Sequence, residues 1–257
     1  MIMRQPAGAA MGIAAIILAA GIGRRLGRAA PKITLSFGGK SLLKRHIAAL
    51  HENGVTDIAL TIGHRGDLIR DELTRLGLSE RVTLIDNPRY REGSMVSLWM
   101  QRARLASGAT VLLMDGDVLY DWRMIGRLLQ AAPENVLLFD QAIEPGDEPV
   151  KICLRGEVIV DFAKLPEHAH ERHGESVGFF RLSANMAVAL AARATAYVEA
   201  GGGAEYEAAL RDLILAHPDR FGCEDISDLP WTEIDFEEDV ARARQEILPQ
   251  LEEKAHA

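Results

Sequence analysis

Cysteine is nearly absent: the 257 residues hold only Cys153 and Cys223, far apart and without metal-type spacing. That excludes a disulfide-stapled scaffold and a cysteine zinc site, and leaves free thiols in a reducing cytoplasm as the expectation. Net positive charge is missing too. At a formal −8 at pH 7, the chain has no general attraction for nucleic acid or an anionic membrane. No run approaches the ~20 apolar residues of a membrane span, and no internal repeat is visible. The N-terminal MIMRQPAGAAMGIAAIILAAG is broken by Gly8 and Gly12 and runs straight into an arginine-rich loop, so it is not read as a secretion signal. Aromatic residues make up 5%, and the default place for each is the core.

What is there suits one globular domain, since 48% of residues are hydrophobic. Residues 13–19, 57–63, 82–86 and 110–117 are short apolar runs that fit strands buried on both faces, and 40–54, 67–77 and 94–106 between them have helical spacing. That alternation predicts a mostly parallel sheet with right-handed crossovers. After 135 the rhythm changes: 136–140 is another strand, 151–164 alternates about Arg155-Gly156 as a hairpin would, and 176–183 has strand character. Helices return at 184–199 and 205–216, and a short strand at 231–235 feeds a final amphipathic helix. The boundaries expected are a flexible N-terminus over 1–12, a nucleotide-binding half over 13–135, an acceptor-binding half over 136–250, and a flexible tail over 251–257.

In open α/β sheets ligands lie beyond the carboxyl ends of strands, and the first such loop is LAAGIGRRLGRAAPK at 18–32. Gly21 and Gly23 bare backbone amides that can point at a phosphate, and Arg24, Arg25 and Lys32 add charged donors. A Walker P-loop is excluded, because GGKS at 38–41 lacks the earlier glycine. A dinucleotide fingerprint is excluded as well: the third glycine of GIGRRLG comes one position late. Asp115 and Asp117 follow the apolar run VLLM and project from a strand end towards the same cleft, unless they simply close a turn.

These residues resemble a known family. Leu18, Ala19, Ala20, Gly21, Gly23, Arg25 and Leu26, with Pro31 and Lys32, match the opening L-A-A-G-x-G-x-R-[LM] … P-K of the nucleotidyltransferases of the sugar-phosphate and phosphocholine cytidylyltransferase type, which have the MobA-like fold. The DNPRYREGSMVSLW, MDGD and WTEIDFEEDVARA segments resemble three further motifs of the phosphocholine branch. The resemblance implies a three-layer α/β/α Rossmann-like nucleotidyltransferase fold with a mixed, mostly parallel sheet, and an enzyme that moves CMP from CTP to a phosphorylated or phosphonate small molecule such as phosphocholine. It implies Mg2+ on Asp117 and Asp235, with Asp115 and Glu233 in support. Arg25 and the Gly21–Gly23 amides would take the β- and γ-phosphates, and Lys32 would sit between the α-phosphate and the acceptor. The acceptor oxygen is already anionic, so in-line attack needs no general base.

The base would be read near Leu18, Ala19 and Ala20 and by Gly93, Ser94 and Ser97. Asn87, Tyr90, Ser97 and Leu98 keep the branch's spacing, whereas Ser94 stands where the family often carries asparagine. Acceptor candidates are Tyr120, Trp122, Tyr206 and Trp231 as aromatic faces for a quaternary ammonium, Lys151 as a second cation, and Glu175, Gly178 and Glu207 as family-like positions. His168, His170 and His173 suggest zinc or, more simply, a solvated loop. Open alternatives are a sugar-1-phosphate or inositol-1-phosphate nucleotidyltransferase, an aspartate-x-aspartate glycosyltransferase and a catalytically silent nucleotide-binding regulator. A homodimer is also left open.

Overall fold

Ile13–Ala19 (β1) shows why the middle of the sheet forms: Ala15 and Ile17 face one side, Ile16 the other, and all three are buried. The computed structural model describes residues 12–27, 30–142, 149–201 and 203–253. The N-terminus up to Met11, Arg28 and the last four residues lie outside the described residues.

After β1 and a 3₁₀ turn at Lys32–Thr34 come β2 (Ser36–Phe37), β3 (Lys40–Ser41), α1 (Leu42–Glu52), β4 (Asp57–Ile62), α2 (Gly66–Leu76), β5 (Thr83–Asp86), α3 (Ser94–Met100), α4 (Arg102–Leu105) and β6 (Thr110–Asp115). The chain continues with β7 (Val118–Tyr120), α5 (Arg123–Gln130), β8 (Asn135–Asp140), β9 (Lys151–Arg155), β10 (Val158–Ala163), β11 (Arg172–Leu182), α6 (Ala184–Glu199), α7 (Glu207–Ala216), β12 (Phe221–Asp225), β13 (Trp231–Glu233), α8 (Glu237–Arg242) and α9 (Leu248–Glu253).

Strands β5, β4, β1 and β6 lie side by side and parallel. The chain moves outward from β1 to β5, then returns to β6 on the other side of β1, so a switch-point crevice opens beyond the carboxyl ends of β1 and β6. Long β11 runs antiparallel to β6, β8 and β9 and carries the sheet on to the strands of the second half of the chain. One apolar layer joins this sheet to α1, α2, α5 and α8, the other to α3, α6 and α7. The result is the expected three-layer α/β/α architecture.

Several expectations change in detail. The helix expected over 94–106 breaks at Gln101, whose side chain turns inward to donate to Thr61 at 2.8 Å. Strand β6 stops at Asp115 because the chain turns at Gly116. Strands β7 and β12 and helix α5 had no clear signal: β7 is three residues long, α5 contains Gly126, and β12 contains Gly222. Residues 172–175, within the histidine-rich stretch read as a loop, are the start of β11 paired with β9. At the C-terminal end α9 continues to Glu253, beyond residue 250, and Leu251 packs on the core.

Asp161 in β10 ties the loop after β10 to α7. Its wholly buried carboxylate accepts from Arg211 Nε at 2.7 Å and from the amides of Glu167 and His168 at 2.7 and 2.9 Å. Burial alone would raise its pKa, but Arg211 and the His168 and Glu167 donors reverse this and hold it well below the usual carboxylate range. A depressed folded pKa stabilises above the ordinary carboxylate pKa, and the contribution is lost as pH falls towards the folded value. Asp161→Ala is expected to cost about 2–4 kcal/mol, since it strands a partly buried arginine and two amides. Urea denaturation at pH 7 measures this, and a loss under 1 kcal/mol would contradict it.

Candidate active site

Two loops meet in the crevice. The first leaves β1: the Leu18 carbonyl accepts from the Gly116 amide at 3.0 Å, and the Ala20 carbonyl accepts from the His64 amide at 3.1 Å. Gly23 takes φ +64°, a left-handed backbone that favours glycine, and the Lys32 side chain packs alongside it. The second loop follows β6 and carries Asp115, Gly116 and Asp117. Strand β13 pairs antiparallel with β7, and the Ile234 amide donates to the Asp117 carbonyl at 3.0 Å. Asp235 therefore lands beside Asp117.

Lys32 joins the two sides. Its Nζ donates to Asp117 Oδ2 at 2.9 Å and also to Asp235, while Arg25 Nη1 reaches Asp235 Oδ2 at 3.0 Å. Burial would lower the lysine's pKa, but Asp117 and Asp235 outweigh it and raise the value, so an ammonium sits between two carboxylates. Asp235 answers in kind: burial favours its neutral form, yet Lys32 and Arg25 hold its pKa below the ordinary value. Asp239 fixes the turn after β13 by accepting from the amides of Asp235 and Phe236 at 2.8 and 2.6 Å.

Asp117, Glu233 and Asp235 each offer an oxygen within 4.8 Å of the other two, and they form a candidate cation site. Burial and the charges of Asp117 and Asp235 push Glu233 up to about 8. Three hard oxygen donors suit a cation such as Mg2+, and the Lys32 ammonium between two of them shows that the position favours positive charge. Asp115 turns away from this group. Tyr206 donates to its Oδ2 at 2.7 Å, and Gly178 presses against it: a Cβ there would lie 2.2 Å from the same oxygen. Burial first, then Asp117 and Glu207, raise the Asp115 pKa well above its ordinary value.

Gly93 takes φ +104° against the Ala204 carbonyl. The Ser94 hydroxyl accepts from the Tyr206 amide at 2.8 Å and donates to Glu205. Ser97 is buried and accepts from Asn87 at 3.0 Å, so it braces the segment from inside. Tyr206 thus touches both Ser94 and Asp115, linking the two segments that carry them.

A cleft of about 650 Å³ beside these acids is lined by Asp115, Glu175, Gly178, Tyr206, Glu207, Trp231, Glu233 and Asp235 among others. Trp231 donates to Asp140 at 2.7 Å on its wall. Two aromatic expectations fail. Tyr120 points into the core, 4.7 Å from Phe179 and 5.2 Å from His46 by ring centroids, because β7 reverses direction after Asp117. Trp122 is half exposed at the start of α5 and lines a separate, smaller depression with Lys40 and Leu251. Lys151 also falls outside the cleft lining: its ammonium donates to the Lys164 carbonyl at 2.8 Å, and Lys164 is the lysine on the wall. His168 is occupied by Asp161 at 2.9 Å while His170 and His173 contact each other at 3.1 Å, so the three do not share one ligand position.

Asp140, Lys164, Glu205 and Asp239 were missed. Asp140 and Lys164 had a readable signal, since each closes an apolar strand as Asp115 does. Glu205 acts on Ser94, which only the fold brings near, whereas Asp239 acts on the amides three and four residues before it and closes the WTEIDFEED segment.

Residues 15–179 match the MobA-like NTP transferase domain. A bifunctional IPC transferase and DIPP synthase of Rubrobacter xylanophilus is 28% identical over 247 residues, covering 92% of this chain and 52% of that protein. A CMP-5'-(3-aminopropyl)phosphonate synthase of Streptomyces rubellomurinus is 23% identical over 254 residues, covering 95% of this chain and 40% of that protein. The chain spans about half the length of the first of these curated relatives and less of the second. The inositol-1-phosphate CTP transferase from T. maritima shares the fold at a TM-score of 0.72 and 21% identity, over 95% of this chain and 98% of that one. The chain belongs to the MobA-like NTP transferase domain family.

Proposed function

We propose that this chain is a Mg2+-dependent cytidylyltransferase that moves CMP from CTP to a phosphorylated or phosphonate small molecule and releases pyrophosphate. The observation that carries the reading is the meeting of Lys32 with Asp117 and Asp235, at the mouth of a cleft with room for a second substrate.

Asp117 and Asp235, with Glu233 beside them, would hold the metal. When bound, Mg2+ supplies charge neutralisation at the α-phosphate and the leaving oxygen. The chain supplies the rest. The amides of Gly21 to Gly23 and the Arg25 guanidinium hold the β- and γ-phosphates; Arg25, near the protein surface and 3.0 Å from Asp235, is within reach of both. Lys32 turns from its carboxylates to the α-phosphate and the incoming oxygen and lessens their repulsion. An acceptor oxygen then forms a bond to the α-phosphorus as the bond to pyrophosphate breaks, and no proton has to move.

The cleft favours an acceptor with a cationic end. Asp140, Glu175 and Glu207 line it, with Trp231 alongside, and acids beside an aromatic face suit an ammonium. Burial and then Asp140 push Glu175 up to about 7, against the opposing pull of Lys151. Glu175 is therefore neutral below that pH and ionised above it. Because the folded pKa is raised, ionisation costs stability as pH rises from the ordinary carboxylate range to about 7. Binding of an ammonium acceptor should improve over the upper part of the same rise.

Pyrophosphate release with CTP, UTP, GTP and ATP against phosphocholine, phosphoethanolamine, 2-aminoethylphosphonate, glycerol phosphate, inositol 1-phosphate and hexose 1-phosphates tests the reading. CTP with an ammonium-bearing acceptor should win, with an acceptor KM that falls between pH 6 and 8 by more than that of a polyol phosphate; Glu175→Gln should reduce the difference, the rest belonging to Glu207, which burial also pushes up to about 7. Preference for inositol 1-phosphate, the acceptor named for the T. maritima protein, would overturn the cationic acceptor and keep the reaction. Silence with every nucleotide would overturn the reaction.

A further inference from the structure

His46 is a wholly buried polar side chain in the apolar stripe of α1, one turn from Leu42 and one from Leu50. A leucine would fill such a place without a polar atom to satisfy. The ring's Nε2 lies 3.2 Å from the Gly116 carbonyl oxygen. A carbonyl can only accept, so the proton is assigned to Nε2 and His46 is the donor. Burial pushes the imidazole down to about 4, and it stays neutral through the physiological range. Tyr120 and Phe179 hold the ring, with centroids 5.2 and 6.1 Å away.

Gly116 is the residue between Asp115 and Asp117. Its amide donates to the Leu18 carbonyl at the end of β1, and a Cβ on it would lie 2.9 Å from that oxygen and 3.1 Å from the Ala19 Cβ. The residue is thus gripped through its amide from β1 and through its carbonyl from α1. The next carbonyl, that of Asp117, accepts from Ile234 at 3.0 Å. The turn that aims Asp117 at Asp235 therefore has three main-chain anchors, and His46 supplies the one that comes from a side chain.

We infer that His46 is a positioning residue for the transfer reaction: by holding the Gly116 carbonyl it aims Asp117 at Asp235, and so sets the geometry of the cation site. The inference rests on the reading of Asp117 and Asp235 as the metal-binding acids. Methionine and glutamine, nearly equal in shape, separate packing from hydrogen bonding at this position. In His46→Met the Kd for Mn2+, read by electron paramagnetic resonance of the free protein, should rise about tenfold, the lower end for loss of a group that orients a metal ligand. Turnover should fall with it, while the KM for CTP moves less. His46→Gln, which keeps a donor, should hold both values within about threefold of the parent.

The inference is overturned if His46→Met binds Mn2+ like the parent, or if Met and Gln lose affinity equally. It is also overturned if Met fails to fold while Gln folds, which would make the bond a stability element, or if neither folds, which would make ring packing the point. A parent protein whose Mn2+ affinity is unchanged by Asp117→Ala would instead overturn the reading of the acids, so the two failures are distinguishable.

Discussion

Asp117→Ala and Asp235→Ala should each lower pyrophosphate release by about three orders of magnitude, the scale on which preorganised charge stabilisation is lost. Both carboxylates are partly solvent-exposed, with side-chain exposures of 24% and 26%. Neither substitution opens the apolar core, so the folded state should survive. The variants should still differ. Asp235 also holds Arg25 at 3.0 Å, so its loss removes one of the contacts that orient the cation assigned to the triphosphate tail and should change the KM for CTP more than loss of Asp117 does. Steady-state kinetics beside circular dichroism would decide it. Full rate in either variant would mean that the acid does not hold the metal.

The parts of the site visible in the chain were those that follow buried strands directly. Leu18 to Gly23 after β1 and Asp115 to Asp117 after β6 could be placed because short apolar runs with abrupt polar ends have one natural position in a doubly covered sheet. Adjacency in the chain then misled where the backbone reverses. Tyr120 and Trp122 come soon after Asp117, yet strand alternation in β7 sends Tyr120 inward against Phe179, and Trp122 begins α5 on another surface. The division of labour among the acids was equally hidden: Glu233 joins the cation group because β13 pairs with β7, while Asp115 belongs to Tyr206. His46 carried a signal, a polar residue in an apolar helical stripe. Its partner, a backbone carbonyl 70 positions away, could come only from the fold.

Gly178→Ala should be strongly damaging for a single added methyl group. The residue sits in β11 at φ +76°, where a side chain is strained whatever the space, and its Cβ would lie 2.2 Å from Asp115 Oδ2 and 3.0 Å from Cγ. Strain and overpacking together should cost about 2–4 kcal/mol. The strand has little freedom to retreat. Its amide at 178 donates to Ser176 Oγ at 3.2 Å, and from Phe179 onward it is paired with β6. The Asp115 carboxylate must therefore move, and Tyr206, 2.7 Å away, opposes that movement. Because Tyr206 also bonds Ser94 through its amide, the displacement should reach the nucleotide side, and turnover should fall by about 100-fold, the cost of misplacing reacting groups by about 1 Å. Tyr206→Phe removes the opposing hydroxyl while keeping the ring. In the double variant part of the lost stability should return, giving a coupling energy of about 1 kcal/mol or more in the cycle. Strict additivity of the two changes would show that the added methyl group is accommodated by β11 and that Asp115 stays where it is.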